Sequence, residues 1–212
     1  MLNVSIIIVT HSKRDTILKQ MIELLKIRNP VCKNCQVIIA CQDKTTLEDT
    51  YFNNLEVLNF NLPNYHKSKM INMAVKQAKN KNIWLLDNDR VVPKNWLEKN
   101  IKNLHNNVIS CHRLFKLTIP ATTEQIEKNI VPKLQDYRLA DMSNIGKALS
   151  CKTVFSGNTL IKKDDFLDVG GMDEEFIGYG YHDTDMSYKC FKSGLPIILT
   201  DDDELHLWHP IE

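Results

Sequence analysis

Two carboxylates, Asp87 and Asp89, stand two residues apart directly after the apolar run Ile83-Trp84-Leu85-Leu86. Carboxylates this close repel, which raises one pKa unless a cation neutralises the pair. A hard divalent cation with oxygen ligands is the usual partner; the competing reading is an exposed acidic turn. His206 and His209 lie three apart around Trp208. Imidazole suits borderline metals, and this spacing in a turn lets one or both rings face a common point. The alternative is a pair of surface histidines flanking a buried tryptophan. The third cluster is Gly178-Tyr179-Gly180-Tyr181-His182-Asp183-Thr184-Asp185. Glycine lets backbone approach a ligand closely, aromatic rings offer a face for a sugar, and a carboxylate at Asp183 can act as general base on a hydroxyl. The same acids could cap a helix. We assign that role to Asp185 and the base to Asp183.

Cys32-Lys33-Asn34-Cys35 has the spacing of zinc and redox sites, but there is no second such pair, so it reads as a helix-to-strand turn holding two thiols. Composition narrows the class. Lys plus Arg is 27 against 26 acids, a net charge of +1, which gives no general field for nucleic acid. The apolar run at Val4–Val9 is too short for a signal segment and lacks basic residues before it. No run approaches membrane-spanning length, although peripheral membrane association stays open. Six cysteines without an export signal predict reduced thiols in a cytoplasmic protein.

The elements that must position these clusters alternate. Val4–Val9 predicts a buried strand, and Ile17, Leu18, Met21, Ile22 and Leu25 predict an amphipathic helix. Gln36–Cys41 and Leu55–Phe60 are strands, Met70 to Ala78 a helix, and Ile83–Leu86 a strand. Pro93 opens a helix through Trp96 and Leu104. Residues 115–150 read as an insertion or mobile loop, with a weak helix at Thr123–Asn129. A strand pair follows near Thr153–Phe155 and Thr159–Ile161, then a helix at Lys163–Val169. A further helix runs from about Thr184 to Gly194, and a last strand covers Pro196–Leu199.

This order predicts an α/β fold, one domain built on a mostly parallel central sheet flanked by helices. Its halves are 1–111, for a nucleotide sugar, and 151–212, for the acceptor and completion of the metal site, with 112–150 between them. Ligands in such sheets sit beyond the carboxyl ends of the strands, where Thr10, Asp43 and the acids at 87–89 fall. Neither a GxGxxG fingerprint nor a P-loop is present.

In this order the clusters resemble a GT-A (Rossmann-like) glycosyltransferase. The first half is similar to family 2, with Val4–Thr10 as first strand, Val37–Asp43 as nucleotide-reading strand and Asp87-Asn88-Asp89 as the DxD motif. The segment Phe155-Ser156-Gly157-Asn158-Thr159 through Tyr188 resembles the galactosyltransferase C-terminal module. That module occurs in β-1,4-galactosyltransferases, polypeptide N-acetylgalactosaminyltransferases and chondroitin-polymerase-type enzymes. Lys67-Ser68-Lys69-Met70-Ile71-Asn72 also resembles the start of their donor-binding helix.

The resemblance implies a UDP-sugar donor and a glycan or glycoconjugate acceptor, with Mn²⁺ or Mg²⁺ as cofactor. By position, Thr10 and Asp43 would hold the uracil, Lys67 would sit near the nucleotide, and Asp87 would touch ribose or a sugar hydroxyl. Asp89 would bind the metal, completed by His209 with His206 beside it. Gly157 and Asn158 would line the donor-sugar pocket, Tyr179 would stack on the acceptor, and Asp183 would be the base of an inverting transfer. Two departures stand out. His182 replaces an acid that usually grips the acceptor, and Gln42-Asp43-Lys44 replaces two acids and a glycine. The rival readings are a nucleotidyltransferase, which would normally need a Gly-rich basic loop after the first strand, and an inactive sugar- or partner-binding module on the same scaffold.

Overall fold

The structure is a computed structural model describing residues 2–135, 157–178 and 180–210. β1 (Val4–Thr10) is apolar and buried along its whole length, as expected of a strand covered on both faces. Its odd and even residues enter two separate cores. Ile6 and Ile8 join Val37, Ile39, Trp84 and Leu86 on one face, while Ile7 and Val9 join Ile38, Ala40, Ile83 and Leu85 on the other. The first core is closed by α1 (Asp15–Arg28) and α3 (Trp96–Ile101). The second is closed by α2 (Lys67–Gln77), α5 (Lys163–Asp168) and α6 (His182–Lys192). Trp84 stacks on Trp96 with centroids 5.3 Å apart, a contact worth about 1 kcal/mol beyond its buried area.

The remaining strands are β2 (Gln36–Cys41), β3 (Asn54–Asn59), β4 (Asn82–Asp87), β5 (Arg90–Val91), β6 (Val108–Leu117), β7 (Lys133–Gln135), β8 (Asn158–Lys162) and β9 (Ile197–His206). The sheet order is β3-β2-β1-β4-β8-β6-β9-β5, with β7 on β6. The first four strands are parallel. β8 then runs antiparallel to both β4 and β6, so the sheet as a whole is mixed.

Three elements differ from the sequence expectation. In the stretch read as an insertion or mobile loop, β6 extends to Leu117 and β7 pairs with it, with the helix expected near 123–129 present between them as α4 (Thr123–Glu127). A capping box at Thr122 and Gln125 starts α4, and Ile126 is buried against the first core. Gln20 Nε2–H donates to Ala121 O (2.6 Å) and Arg28 pairs with Glu127 (2.7 Å), which docks α4 on α1. Second, β9 continues past Leu199 through Thr200-Asp201-Asp202-Asp203-Glu204 to His206. Aspartate is a poor strand former, but pairing with β6 on one side and β5 on the other overrides that preference. Third, α6 starts at His182, two residues early, after Tyr181 turns through the left-handed region at φ 51°. The expected strand at Thr153–Phe155 and the rest of 136–156 lie outside the described residues. Among the described residues no helix is long and apolar enough to cross a membrane. Cys32 and Cys35 are buried and free.

Candidate active site

Asp87, Asn88 and Asp89 leave the end of β4 in a tight turn fixed from three sides. Asp87 N–H donates to Gly157 O (2.7 Å), and Asn88 Nδ2–H donates to Thr10 Oγ1 (2.7 Å). Leu207 N–H donates to Asp89 O (2.8 Å). The turn runs on into β5, where Arg90 lies opposite His206 in the antiparallel ladder with β9. That pairing carries a residue more than a hundred positions away to the side of Asp89.

The result is a three-ligand cluster. His206 Nε2 lies 3.5 Å and His209 Nε2 3.4 Å from Asp89 Oδ2, and the two rings are 5.1 Å apart. One ligand atom from each residue falls within 4.8 Å of the others, the only such group of three among the described residues. His206 Nδ1 contacts Leu207 O and His209 Nδ1 contacts Pro210 O, both at 2.8 Å. A carbonyl oxygen only accepts, so each Nδ1 carries a proton, and whenever a ring is neutral its bare Nε2 faces Asp89. Metal-binding histidines are commonly oriented this way. Arg14 Nη2 also comes within 3.5 Å of His209 Nδ1, but the shorter carbonyl contact fixes the tautomer. Asp89 Oδ1 and His209 Nε2 are buried without a hydrogen-bond partner, so this donor set fits a divalent cation. The alternative sequence reading is reversed, because Trp208 is 38% exposed while both histidines are partly buried.

Arg14, the last residue of the turn between β1 and α1, donates to Asp89 Oδ2 (2.9 Å). Burial alone would raise the Asp89 carboxyl; the His209 contact, His206, Arg90 and Arg14 reverse this and hold it far below the ordinary carboxylate value. Burial pushes His206 down to about 4, against the pull of Asp89. The Asp89 contact lifts His209 above its ordinary value.

A second cluster faces the same strand edge. Lys67 Nζ, at the first residue of α2, lies 2.8 Å from Asp87 Oδ1 and 3.8 Å from Asp183 Oδ1. Burial would discharge this ammonium, but Asp183 and Asp87 raise it well above the ordinary lysine value. Lys67, Asp87, Gly157, Asp183 and Met172 line a narrow cleft at this edge, floored by Ile7, Val9 and Leu85. A carboxylate, an ammonium and a second carboxylate around one cleft can grip an anionic leaving group and take a proton from an incoming hydroxyl.

Asp89, His206 and His209 thus come together, as do Lys67, Asp87, Gly157 and Asp183. Asp43 is exposed and receives a hydrogen bond from Ser12 Oγ (3.2 Å). Three further residues named from the sequence are buried. Thr10 is fully buried, and its hydroxyl accepts from Asn88 and braces the turn. Asn158 is fully buried and spent on Trp84 Nε1–H (2.6 Å) and Cys111 Sγ (3.3 Å), so it does not line the cavity. His182 is only 6% exposed, with Nδ1 on Gly180 O (3.0 Å) and Nε2 3.6 Å from Asp183 Oδ1. Tyr179 lies outside the described residues.

Sequence reading missed Arg14, Arg90 and Glu204. Arg14 follows the first strand by four residues and Arg90 touches the acidic triplet, so position alone could have flagged both. Glu204 is 1% exposed, and burial lifts it to about 7 against the pull of Arg90. Within a run of four acids nothing marks it as the buried one.

Residues 138–207 match the family described as the N-terminal domain of galactosyltransferase. Among solved structures, a mannosyltransferase from Pyrobaculum calidifontis in complex with GDP-Man and Mn²⁺ has a TM-score of 0.64 at 13% identity, over 96% of this chain and 56% of its own. GalNAc-T7 with UDP, GalNAc and Mn²⁺ has a TM-score of 0.66 at 13% identity, over 98% and 44%. S. aureus TarS also has 0.66 at 13% identity, over 98% and 37%. The chain therefore spans from about a third to just over half the length of these three proteins, and at such identity the likeness carries the fold, which is GT-A. No curated protein matches the sequence. Residues 5–156, holding β1 to β4 and the Asp87-Asn88-Asp89 turn, match glycosyl transferase family 2, and the chain belongs to that family.

Proposed function

We propose that the chain is a metal-dependent, inverting glycosyltransferase that moves a hexose or N-acetylhexosamine from a UDP-sugar to a hydroxyl of a glycan or glycoconjugate. The observation that carries this reading is the meeting of Asp89, His206 and His209 beside the cleft of Lys67, Asp87 and Asp183. Asp89, His206 and His209 would hold Mn²⁺ or Mg²⁺, which supplies a Lewis acid for charge building on the leaving diphosphate. Arg14 and Lys67 add fixed positive charge on the same edge. Asp43 is accessible to the base, and Asp87 to ribose or a donor hydroxyl. Asp183, a third exposed at the start of α6, takes the proton of the attacking hydroxyl. Relatives of the C-terminal module with Asp at this position invert, so an α-linked donor would give a β-glycoside. Galactose or N-acetylgalactosamine is favoured by the match over 138–207 and by the UDP and GalNAc named for GalNAc-T7. Buried free cysteines agree with a cytoplasmic role in polysaccharide synthesis.

The test is nucleotide release from UDP-galactose, UDP-N-acetylgalactosamine and GDP-mannose, with Mn²⁺ and with chelator. Metal-dependent release of UDP from one of the first two supports the reading. Preference for GDP-mannose would replace the donor, and release of pyrophosphate would replace the reaction class. No release from any donor would leave a binding module.

A further inference from the structure

His182 stands where the relatives of the C-terminal module carry an acid, yet it is buried beneath the candidate base. Its Nδ1 lies 3.0 Å from Gly180 O, which can only accept, so the ring proton sits on Nδ1. Its Nε2 is then a bare lone pair, 3.6 Å from Asp183 Oδ1. Nothing donates between these two acceptors, so the contact is only useful once a proton arrives. The charged groups around the ring are Lys67 on α2, Asp87 on β4 and Asp183 on its own helix. Lys67 Nζ approaches the same Asp183 oxygen at 3.8 Å. Burial and Lys67 both hold the imidazole below its ordinary value, which keeps it neutral and ready to accept.

We propose that His182 takes from Asp183 the proton that the attacking hydroxyl gives up. This rests on the transferase reading above. As the hydroxyl oxygen bonds the anomeric carbon, the bond from that carbon to the diphosphate breaks and its electron pair leaves with UDP. The hydroxyl proton passes to the Asp183 carboxylate. A turn about Cβ–Cγ presents the new O–H to Nε2, and closing by about half an ångström brings the pair to hydrogen-bond length. Proton transfer gives an imidazolium and restores the carboxylate, and the proton then returns to solvent through the partly exposed Asp183. His182 acts through Asp183 and does not touch substrate.

The experiment uses the whole chain with Mn²⁺, water as acceptor, and whichever of UDP-galactose and UDP-N-acetylgalactosamine the wild type hydrolyses. A wild type that hydrolyses neither overturns the transferase reading itself. In an active wild type, kcat is expected to fall on the acid side with a midpoint below about 6.5. His182→Gln should cut kcat about 10-fold or more, leave the donor KM within about 3-fold, and lose that limb, since base catalysis is worth about 10²–10⁴-fold. His182→Glu, which can again accept a proton, should restore part of the rate with the limb moved toward the carboxylate range. Hydrolysis at the wild-type rate in His182→Gln would mean that His182 only helps hold an acceptor sugar. A lower rate with an unchanged limb would mean a purely structural role. Either overturns the proposal, as does a wild type with no acid limb, which decides the matter even if the glutamine variant fails to fold.

Discussion

A Cβ placed on Gly157 would stand 2.1 Å from Asp87 Oδ2, 2.5 Å from its Cγ and 2.8 Å from its Cβ. The whole Asp87 side chain is thus packed on bare backbone, and the same glycine accepts the Asp87 N–H. Gly157→Ala forces Asp87 away from Lys67. Overpacking of this kind costs about 1–3 kcal/mol, or roughly 2–10 °C in a chain of this size. Thermal melting should show that loss, and donor titration a raised KM. Unchanged values for both would show that Asp87 does not need its present position.

Glu204 and His206 titrate with opposite effects on stability. Buried Glu204 keeps its proton to about 7 instead of 4.5, so its contribution is present below 4.5 and is lost as pH rises through 7. His206 falls from 6.5 to about 4, so its contribution is present above 6.5 and lost as pH falls through 4. The two nearly cancel between these limits. Glu204→Gln removes the first alone, so in chelator its unfolding free energy, read from denaturant melts, should gain on wild type between pH 5 and pH 8, by up to roughly 3 kcal/mol. A difference that stays constant with pH would contradict the burial of this carboxyl.

Cation binding needs a bare Nε2 on His209, and Asp89 raises the affinity of that ring for a proton. Mn²⁺ affinity should therefore weaken by up to about 10-fold per pH unit once pH falls below the His209 value. His206 is already neutral there and adds nothing to the slope. Calorimetric Mn²⁺ titrations at pH 6 and pH 8 measure this; equal affinities would remove His209 from the ligand set.

Asp183→Asn should leave Mn²⁺ and UDP binding intact and lower turnover by about 10²–10⁴-fold. Normal turnover in this variant would take the base role away from Asp183.

The parallel half of the fold was legible because β1, β2 and β4 are buried on both faces and read as unbroken apolar runs. β9 was legible only at its start, since its strand character from Thr200 onward comes from its partners and not from its own residues. For the same reason the acids of 201–204 could not be sorted by sequence into exposed and buried. At the site, the candidate ligands Asp89, His206 and His209 were visible by type. Burial was not visible: Thr10, Asn158 and His182 carry ligand-like side chains that the fold places inside, on Asn88, on Trp84 and Cys111, and on Gly180. Only the distances separate a residue that meets a ligand from one that holds its neighbour in place.

In the proposed site Asp89, His206 and His209 hold the cation through which nucleotide binds. The most direct test is calorimetric titration of UDP into the wild type, Asp89→Ala and His209→Ala, each with Mn²⁺ and with chelator, on samples shown to melt cooperatively. Mn²⁺-dependent UDP binding is expected in the wild type, and its loss in both variants. Wild-type affinity for UDP in either folded variant, or binding by the wild type that ignores Mn²⁺, would contradict it.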